Sequence, residues 1–425
     1  MLILLLICSA GMWTYWNRAP AALHAANIRT GLPQANALTD LYPRWYGSRE
    51  LLLHHRDPYG AEVSREIQIA YYGRALNPWV QTDRLDQERF AYPLYVVFLL
   101  LPIVPLEFAT VRIVVWWFLA AVTAASLWFW LRFLRFHLSI IDLVAILILA
   151  LSSIPVMQGL SFLQLGLLVA ALIAGAAACA ASGQLFLAGM LMAVATIKPQ
   201  MAVLPIAWFL LWTAGAWRPR RLLLFGFGAT LAALILASEL LLPAWMIRYP
   251  KSLTAYSEYT NSKSFLGTIF SANWSWVIAI VALLAVGWLG WKVRREPADS
   301  VWFAIVLAFV LLLTVTVVPT VNASFNQVLL LPAFLLAFQH RRELLRGSRL
   351  RHLTLYAVTG LALLPWLLAP IVALARPDLR NPLYSVLWSA PLLSSFALPL
   401  ATAAILILLG SGLARNSVDT NAAQT

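Results

Sequence analysis

The chain reads as a succession of long apolar runs divided by short polar breaks, with one extended polar exception near its start. Runs near residues 108–131, 138–156, 160–181, 184–198, 200–213, 221–243, 273–291, 299–319, 325–339, 353–375 and 385–411 predict membrane-crossing helices, for which about 20 residues are needed. Met1 to Trp16 adds a shorter run with no basic residue ahead of it. It reads as a short signal anchor or a start cut short, and not as a cleavable signal. Counting it gives about twelve spans. The runs 184–198, 200–213 and 325–339 are short for a bilayer, as helices that flank a cavity often are.

The exception is Asn17 to Phe90, which packs nine Arg, no Lys and eight Asp or Glu into 74 residues. That is too polar for hydrocarbon and too long for a plain connector, so it predicts a folded extramembrane element. Two surface-lying helices are expected in it, Asp40 to His54 and Ala61 to Leu76, the second with Val63, Ile67, Ala70 and Tyr71 at helical spacing. The next run, Ala91 to Pro105, holds Pro93, Pro102 and Pro105 and suits an interfacial helix as well as a span. Basic residues decide between these. With Ala91 to Pro105 non-spanning, one side receives Arg132 and Arg135; Arg218, Arg220 and Arg221; Lys292, Arg294 and Arg295; Arg341, Arg342, Arg346, Arg349 and Arg351; and Arg415. The opposite short loops keep only Lys198, Arg248, Lys251, Lys263, Arg376 and Arg380. The positive-inside rule then makes both termini cytoplasmic and the Asp40 segment exterior, on a periplasm-like side. The expected layout is a first span at 1–16, an exterior loop at 17–107, a transmembrane bundle at 108–411 and a disordered tail at 412–425.

Composition agrees with an all-α polytopic membrane protein: 62% of residues are hydrophobic and 11% charged, against roughly 25% charged in soluble domains. The net charge of +13 lies in clusters between apolar runs and not along a polar face, so it reads as topology and not as a nucleic-acid footprint. The two cysteines, Cys8 and Cys179, sit inside apolar runs, and many of the 19 tryptophans near run ends fit interfacial belts.

Charge at membrane depth is costly, so it marks the candidates for chemistry. Asp40 is either a helix N-cap or a general base taking a proton from a sugar hydroxyl. Lys198, in ATIKPQM, either snorkels to the interface or is aimed by the Pro199 break into a cavity, where it binds a phosphate. Arg248, Lys251 and Lys263 share a loop with Tyr249, Tyr256, Glu258, Tyr259 and Asn261, a cation, aromatic and amide mixture suited to a lipid-linked sugar phosphate or to an ordinary solvated loop. Asn322, Asn326 and Gln327, with Gln158 and Gln164, flank helix breaks as ligands or as interhelical glue. Glu239 is a weaker second acid, and Asp142 is predicted on the cytoplasmic side. No Walker loop, HExxH or Asp-x-Asp occurs, and adjacent His54 and His55 point about 100° apart on a helix. Neither a nucleotide nor a metal cofactor is therefore expected.

Several segments in order resemble glycosyltransferase family 87, polytopic enzymes of the GT-C type. They are DLYPRWYGSRELL; the DPY element at Asp57, Pro58 and Tyr59; FAYPLYVVFLLLP; FLQLGLLVAAL; ATIKPQ; and FNQVLLLPAFLLA. The chain departs from the family pattern at Leu94, at Leu165 and Gly166, and at Asn326 and Gln327. The resemblance implies a GT-C-type bundle and an inverting transfer of a sugar, mannose by preference, from a polyprenyl-phosphate donor to a lipid or glycan acceptor. In that reading Asp40 is the catalytic base, and Lys198, Arg248, Lys251 and Lys263 bind the donor phosphate. Tyr42, Tyr59, Tyr92, Gln164, Asn326 and Gln327 contact substrate, and no cofactor is needed. The rival expectations are a transporter or flippase of lipid-linked sugars, which inverted repeats would favour, and a non-catalytic scaffold.

Overall fold

A computed structural model describes residues 2–30, 38–77, 79–80, 88–260, 263–319, 323–345, 349–374 and 389–422. No strand occurs among them. The chain opens with α1 (Leu2–Thr30), which continues well past Trp16, where the first span was expected to stop. The extension has a packing cause invisible in the local pattern: Arg18 donates to the Ala373 carbonyl, and Trp16 to Ser161.

The polar segment then forms α2 (Tyr42–His54) and α3 (Ala61–Tyr72). Asp40 thus lies before the helix expected to include it. The second helix stops at Tyr72 and not at Leu76 because Gly73 caps it in the left-handed region, φ 74°. Arg56 ties the two together, meeting Glu50 on α2 at 2.7 Å and Glu66 on α3 at 2.7 Å. The stretch expected to be interfacial holds only the five-residue α4 (Val96–Leu100) and a 3-10 turn over Leu101–Ile103, far short of a span.

The bundle follows as α5 (Phe108–Phe133), α6 (Ile140–Leu151), α7 (Ile154–Ser161), α8 (Gly166–Ala181), α9 (Leu185–Ala195), α10 (Pro199–Gly215) and α11 (Trp217–Leu241). Next come α12 (Trp245–Thr260), α13 (Phe265–Ile269), α14 (Ala272–Val293) and α15 (Val301–Val317). A 3-10 segment, Ser324–Leu330, leads into α16 (Leu331–Gln339), α17 (Arg341–Leu344), α18 (Arg349–Leu374) and α19 (Ala397–Ala422). Among the described residues, five helical stretches are long and apolar enough to cross a membrane: Phe108–Phe133, Trp217–Leu241, Ala272–Val293, Arg351–Leu374 and Ser389–Ala414. The α6–α7 pair, bent by 55°, makes a sixth if it is one span. The remaining apolar helices expected as spans (Gly166–Ala181, Leu185–Ala195, Pro199–Gly215, Val301–Val317 and Ser324–Gln339) have 10–17 residues, so length alone does not bring the count to twelve.

Where a disordered tail was expected from residue 412, the last helix continues to Ala422. Adding residues to a helix already formed costs far less than starting one, so the buried turns around Leu406 and Leu409 extend into ARNSVDTNA. The calls on Asn261, Asn322, Arg346, Arg376 and Arg380 lie outside the described residues.

The main core is an apolar cluster through α5, α8, α9, α10 and α15, with Phe303, Trp130, Phe209 and Leu119 fully buried, and a smaller cluster of Met12, Tyr15, Met157 and Ala369 packs α1 against α7 and α18. Small residues let its helices approach closely. A Cβ on Gly189 would overlap the Leu223 carbonyl, and one on Gly226 would overlap that of Phe186, so α9 and α11 touch backbone to backbone.

Candidate active site

Asp40 sits on the turn that starts α2. The Thr39 carbonyl accepts from the Tyr42 N–H at 2.8 Å, and Pro43 occupies the first helical turn, where a missing N–H costs nothing. The N-cap is Leu41, with no side-chain cap bond, so the capping reading of Asp40 does not hold. Its carboxylate reaches elsewhere: Oδ2 accepts a hydrogen bond from Gln164 Nε2, 124 residues away. Burial raises the Asp40 pKa above the usual carboxylate range, against the lowering pull of Arg44 and Lys198.

Lys198 is brought to the same place by a helix break. It is the N-cap of α10, Pro199 follows it at the helix start, and its side chain is 4% exposed. The ammonium does not snorkel outward. It donates to Gln164 Oε1 at 3.3 Å and to Asn326 Oδ1 at 3.0 Å, and lies 4.8 Å over the Phe325 ring. The result is a buried chain, Asp40 to Gln164 to Lys198 to Asn326, drawn from four separate parts of the sequence. Gln164 itself lies in the break between α7 and α8, just after Leu163, whose φ of 52° is a left-handed outlier for so bulky a residue. Such strain costs about 1–3 kcal/mol and persists only where the surroundings over-determine it.

Three residues that the sequence did not single out complete the surroundings. Arg44 donates to the Asp40 carbonyl, lies 4.8 Å over the Tyr92 ring and faces the buried Glu88 at 3.8 Å. Tyr95 donates to Thr196, two residues before Lys198, at 2.9 Å. Arg44 had no local signature to separate it from the other arginines of the polar segment.

The other expected contacts are spread more widely. Tyr92 is buried under Arg44 beside Asp40. Tyr42 turns into an aromatic cluster, 5.6 Å from Tyr46 and 4.9 Å from Phe108. Tyr59 donates to the Tyr92 carbonyl at 2.7 Å, and Asp57 accepts from the Tyr59 N–H at 2.9 Å, so the DPY element is a turn braced against FAYPLY. Arg248 is paired with Asp57 at 2.5 Å. Lys251 and Lys263 are exposed, and among the described residues no hydrogen bond or ion pair joins them to Asp40 or Lys198. Glu239 accepts from the Ala244 N–H at 2.6 Å, closing a turn away from the chain. No three His, Cys, Asp or Glu side chains converge among the described residues.

Gln327, next to Asn326, faces the other way. It is 3% exposed with both amide atoms unpartnered, and it lines a cavity of about 400 Å³ whose walls are otherwise largely apolar, including Leu149, Val156, Phe334, Phe338 and Trp366. Asp142, on the first turn of α6, also lines the cavity. Asp142 to Ser153 covers ~17 Å of helix and loop at 1.5 Å per residue, so the space is long enough for an extended hydrocarbon chain.

The arrangement holds a half-buried carboxylate and a buried cation one amide apart, near an apolar cavity. Comparisons with known proteins bear on what it is for. No curated protein and no solved structure matches the chain. Residues 90–319, more than half of the 425, match the family model for glycosyltransferase family 87; Gln164 and Lys198 fall within that interval, Asp40 and Asn326 outside it. A membrane bundle of this kind, matched over that length, belongs to glycosyltransferase family 87.

Proposed function

We propose that the protein transfers a sugar, mannose by preference, from a polyprenyl-phosphate donor to a hydroxyl of a lipid or glycan acceptor at the exterior face of a bacterial inner membrane. The acceptor oxygen attacks the anomeric carbon while the bond from that carbon to the phosphate oxygen breaks, which inverts the configuration. The hydroxyl proton goes to Asp40, and polyprenyl phosphate departs carrying the bond's electron pair. Lys198 holds the growing negative charge on the phosphate, a role suited to a desolvated ammonium because fixed charges act most strongly where water is excluded. Lys251 and Lys263 form an outer rim that attracts the anionic headgroup, and Arg248, paired with Asp57, braces it. The apolar cavity takes hydrocarbon of the lipid substrate, with Gln327 meeting a polar group at its mouth.

The observation that carries this reading is the chain linking Asp40 to Lys198 through a single amide, beside an apolar cavity. A base and a phosphate-binding cation are what such a transfer requires, and a lipid donor requires the cavity. The basic clusters between the apolar runs of the sequence support the exterior placement. The test is an in vitro assay of the purified protein with a panel of polyprenyl-phosphate sugars and membrane extract as acceptor. Transfer from one of them, lost in Asp40→Asn with donor binding retained, is the expected result. Near-normal turnover in Asp40→Asn would sink the base assignment, and transport without covalent transfer would favour a flippase.

A further inference from the structure

The Gln164 amide fits its site only one way round. An ammonium has three N–H donors and no acceptor, so the atom facing Lys198 is the carbonyl oxygen, Oε1. The amide nitrogen is then necessarily turned to Asp40 Oδ2. A flipped amide would set N–H against N–H on one side and oxygen against oxygen on the other. Asn326 fixes the ammonium from a second direction at 3.0 Å.

The backbone is committed to the same arrangement. Leu163 takes φ 52° immediately before Gln164, and the Gln164 N–H bonds back to the Gly159 carbonyl at 2.8 Å. Gly166 clears the floor beneath, since a Cβ there would lie 3.1 Å from Lys198 Nζ and 3.2 Å from Asn326 Oδ1. Both ends of the Gln164 side chain are thus in use, its nitrogen by the carboxylate and its oxygen by the ammonium.

We infer that Gln164 is a positioning residue and not a sugar contact: it ties up Asp40 Oδ2, leaves Oδ1 as the proton-accepting oxygen, and couples the charge of Lys198 to that of Asp40. The second part rests on the transfer reading above. As the acceptor proton moves to Oδ1, Asp40 becomes neutral and its hold on the Gln164 N–H weakens. The same step adds one negative charge to the departing phosphate. Lys198 then exchanges a polarised amide for the phosphate, so its attraction passes from base to leaving group as the proton moves.

The experiment reads Asp40 directly. Infrared difference titration of the carboxyl in purified full-length protein, referenced to Asp40→Asn, follows its protonation without any substrate. The charged and titratable groups facing Asp40 are Arg44 from α2, Lys198 from the start of α10 and Tyr92 from the FAYPLY stretch, with Glu88 behind Arg44, and these stay in place when Gln164 is replaced. Gln164→Met keeps the side-chain length and removes both hydrogen bonds. Loss of a bond to the charged form moves the titration upward, by about one pH unit. Gln164→Asn, too short to reach both partners, moves it the same way and serves if the methionine variant does not fold. In transfer assays the acidic limb of kcat moves with it, kcat at neutral pH falls about tenfold, and the donor KM changes by less than about threefold. An unmoved carboxyl titration in both variants would overturn the inference, as would a KM effect with kcat and its pH limb unchanged, which would make Gln164 a substrate contact. If no polyprenyl-phosphate sugar is used by the unaltered protein, the transfer reading falls, and the carboxyl titration still decides what Gln164 does to Asp40.

Discussion

Two cations are buried at opposite ends of α10, and they are held in different ways. Arg220, in the first turn of α11 and 7% exposed, gives four guanidinium N–H bonds to backbone carbonyls: Trp212 and Arg294 at 2.6 Å each, Arg295 at 3.0 Å and Glu296 at 2.8 Å. Its plane also lies 3.9 Å from the Trp212 ring. It satisfies orphan carbonyls past the end of α14 and clamps that loop to two helices, as a cation at a helix C-terminus does. Lys198 meets two side-chain amides instead, one of which leads to a carboxylate. A cation saturated by backbone can only hold a fold together. One held by exchangeable side chains, with a charge partner a single amide away, can change partners. Burial alone does not separate the two, but the identity of the acceptors does.

The sharpest break between the two ends is Asp40→Asn. It should lower transfer by about 10²–10⁴-fold, the range for a lost general base, while titrations with donor still show binding. Next is Lys198→Met, expected to cost about 10²-fold in kcat and to weaken donor binding; unchanged kcat and donor affinity would place Lys198 with Arg220 as a structural cation. A pH profile separates them further. With its pKa raised by burial, Asp40 is protonated and inactive as a base below a point above the ordinary value of about 3.9, so activity should fall on acidification through that point. At the other end, Arg220→Met should leave turnover per folded molecule within about twofold but destabilise the protein by about 1–3 kcal/mol, since four carbonyls lose their donor. Thermal unfolding in detergent measures this. The smallest effect is expected for Tyr59→Phe, about 1 kcal/mol of stability for the bond to the Tyr92 carbonyl and only a few-fold change in transfer.

The ends also differ in how much the sequence disclosed. Lys198 was visible because it interrupts apolar surroundings beside Pro199, and Asp40 because it stands beside Leu41 and Tyr42 at the start of a helical run in the polar segment. That both meet Gln164 was not visible, for the contact joins residues 124 apart and depends on a strained turn at Leu163 that no propensity predicts. Arg248 reads locally as a free loop cation. Its partner Asp57 is 191 residues away, so the pairing that makes it a brace appears only in three dimensions. Helix positions were largely legible from apolar periodicity. Helix ends were not, because α1 extends through Asn17 and Pro20 to Thr30, with Arg18 held by α18, a partner the local sequence does not contain.

The 3-10 segment Ser324–Leu330 has three residues per turn, so neighbouring side chains point ~120° apart. Asn326 touches the ammonium of Lys198, and Gln327 lines the apolar cavity, so a single turn of backbone separates the two. On the proposed reading, hydrocarbon of the lipid donor filling the far side would press on the 3-10 turn that holds Asn326 in register. A donor truncated to a few isoprene units should for that reason turn over more slowly even at saturation, with the lipid acting as a mechanical prop for the headgroup chemistry as well as its anchor.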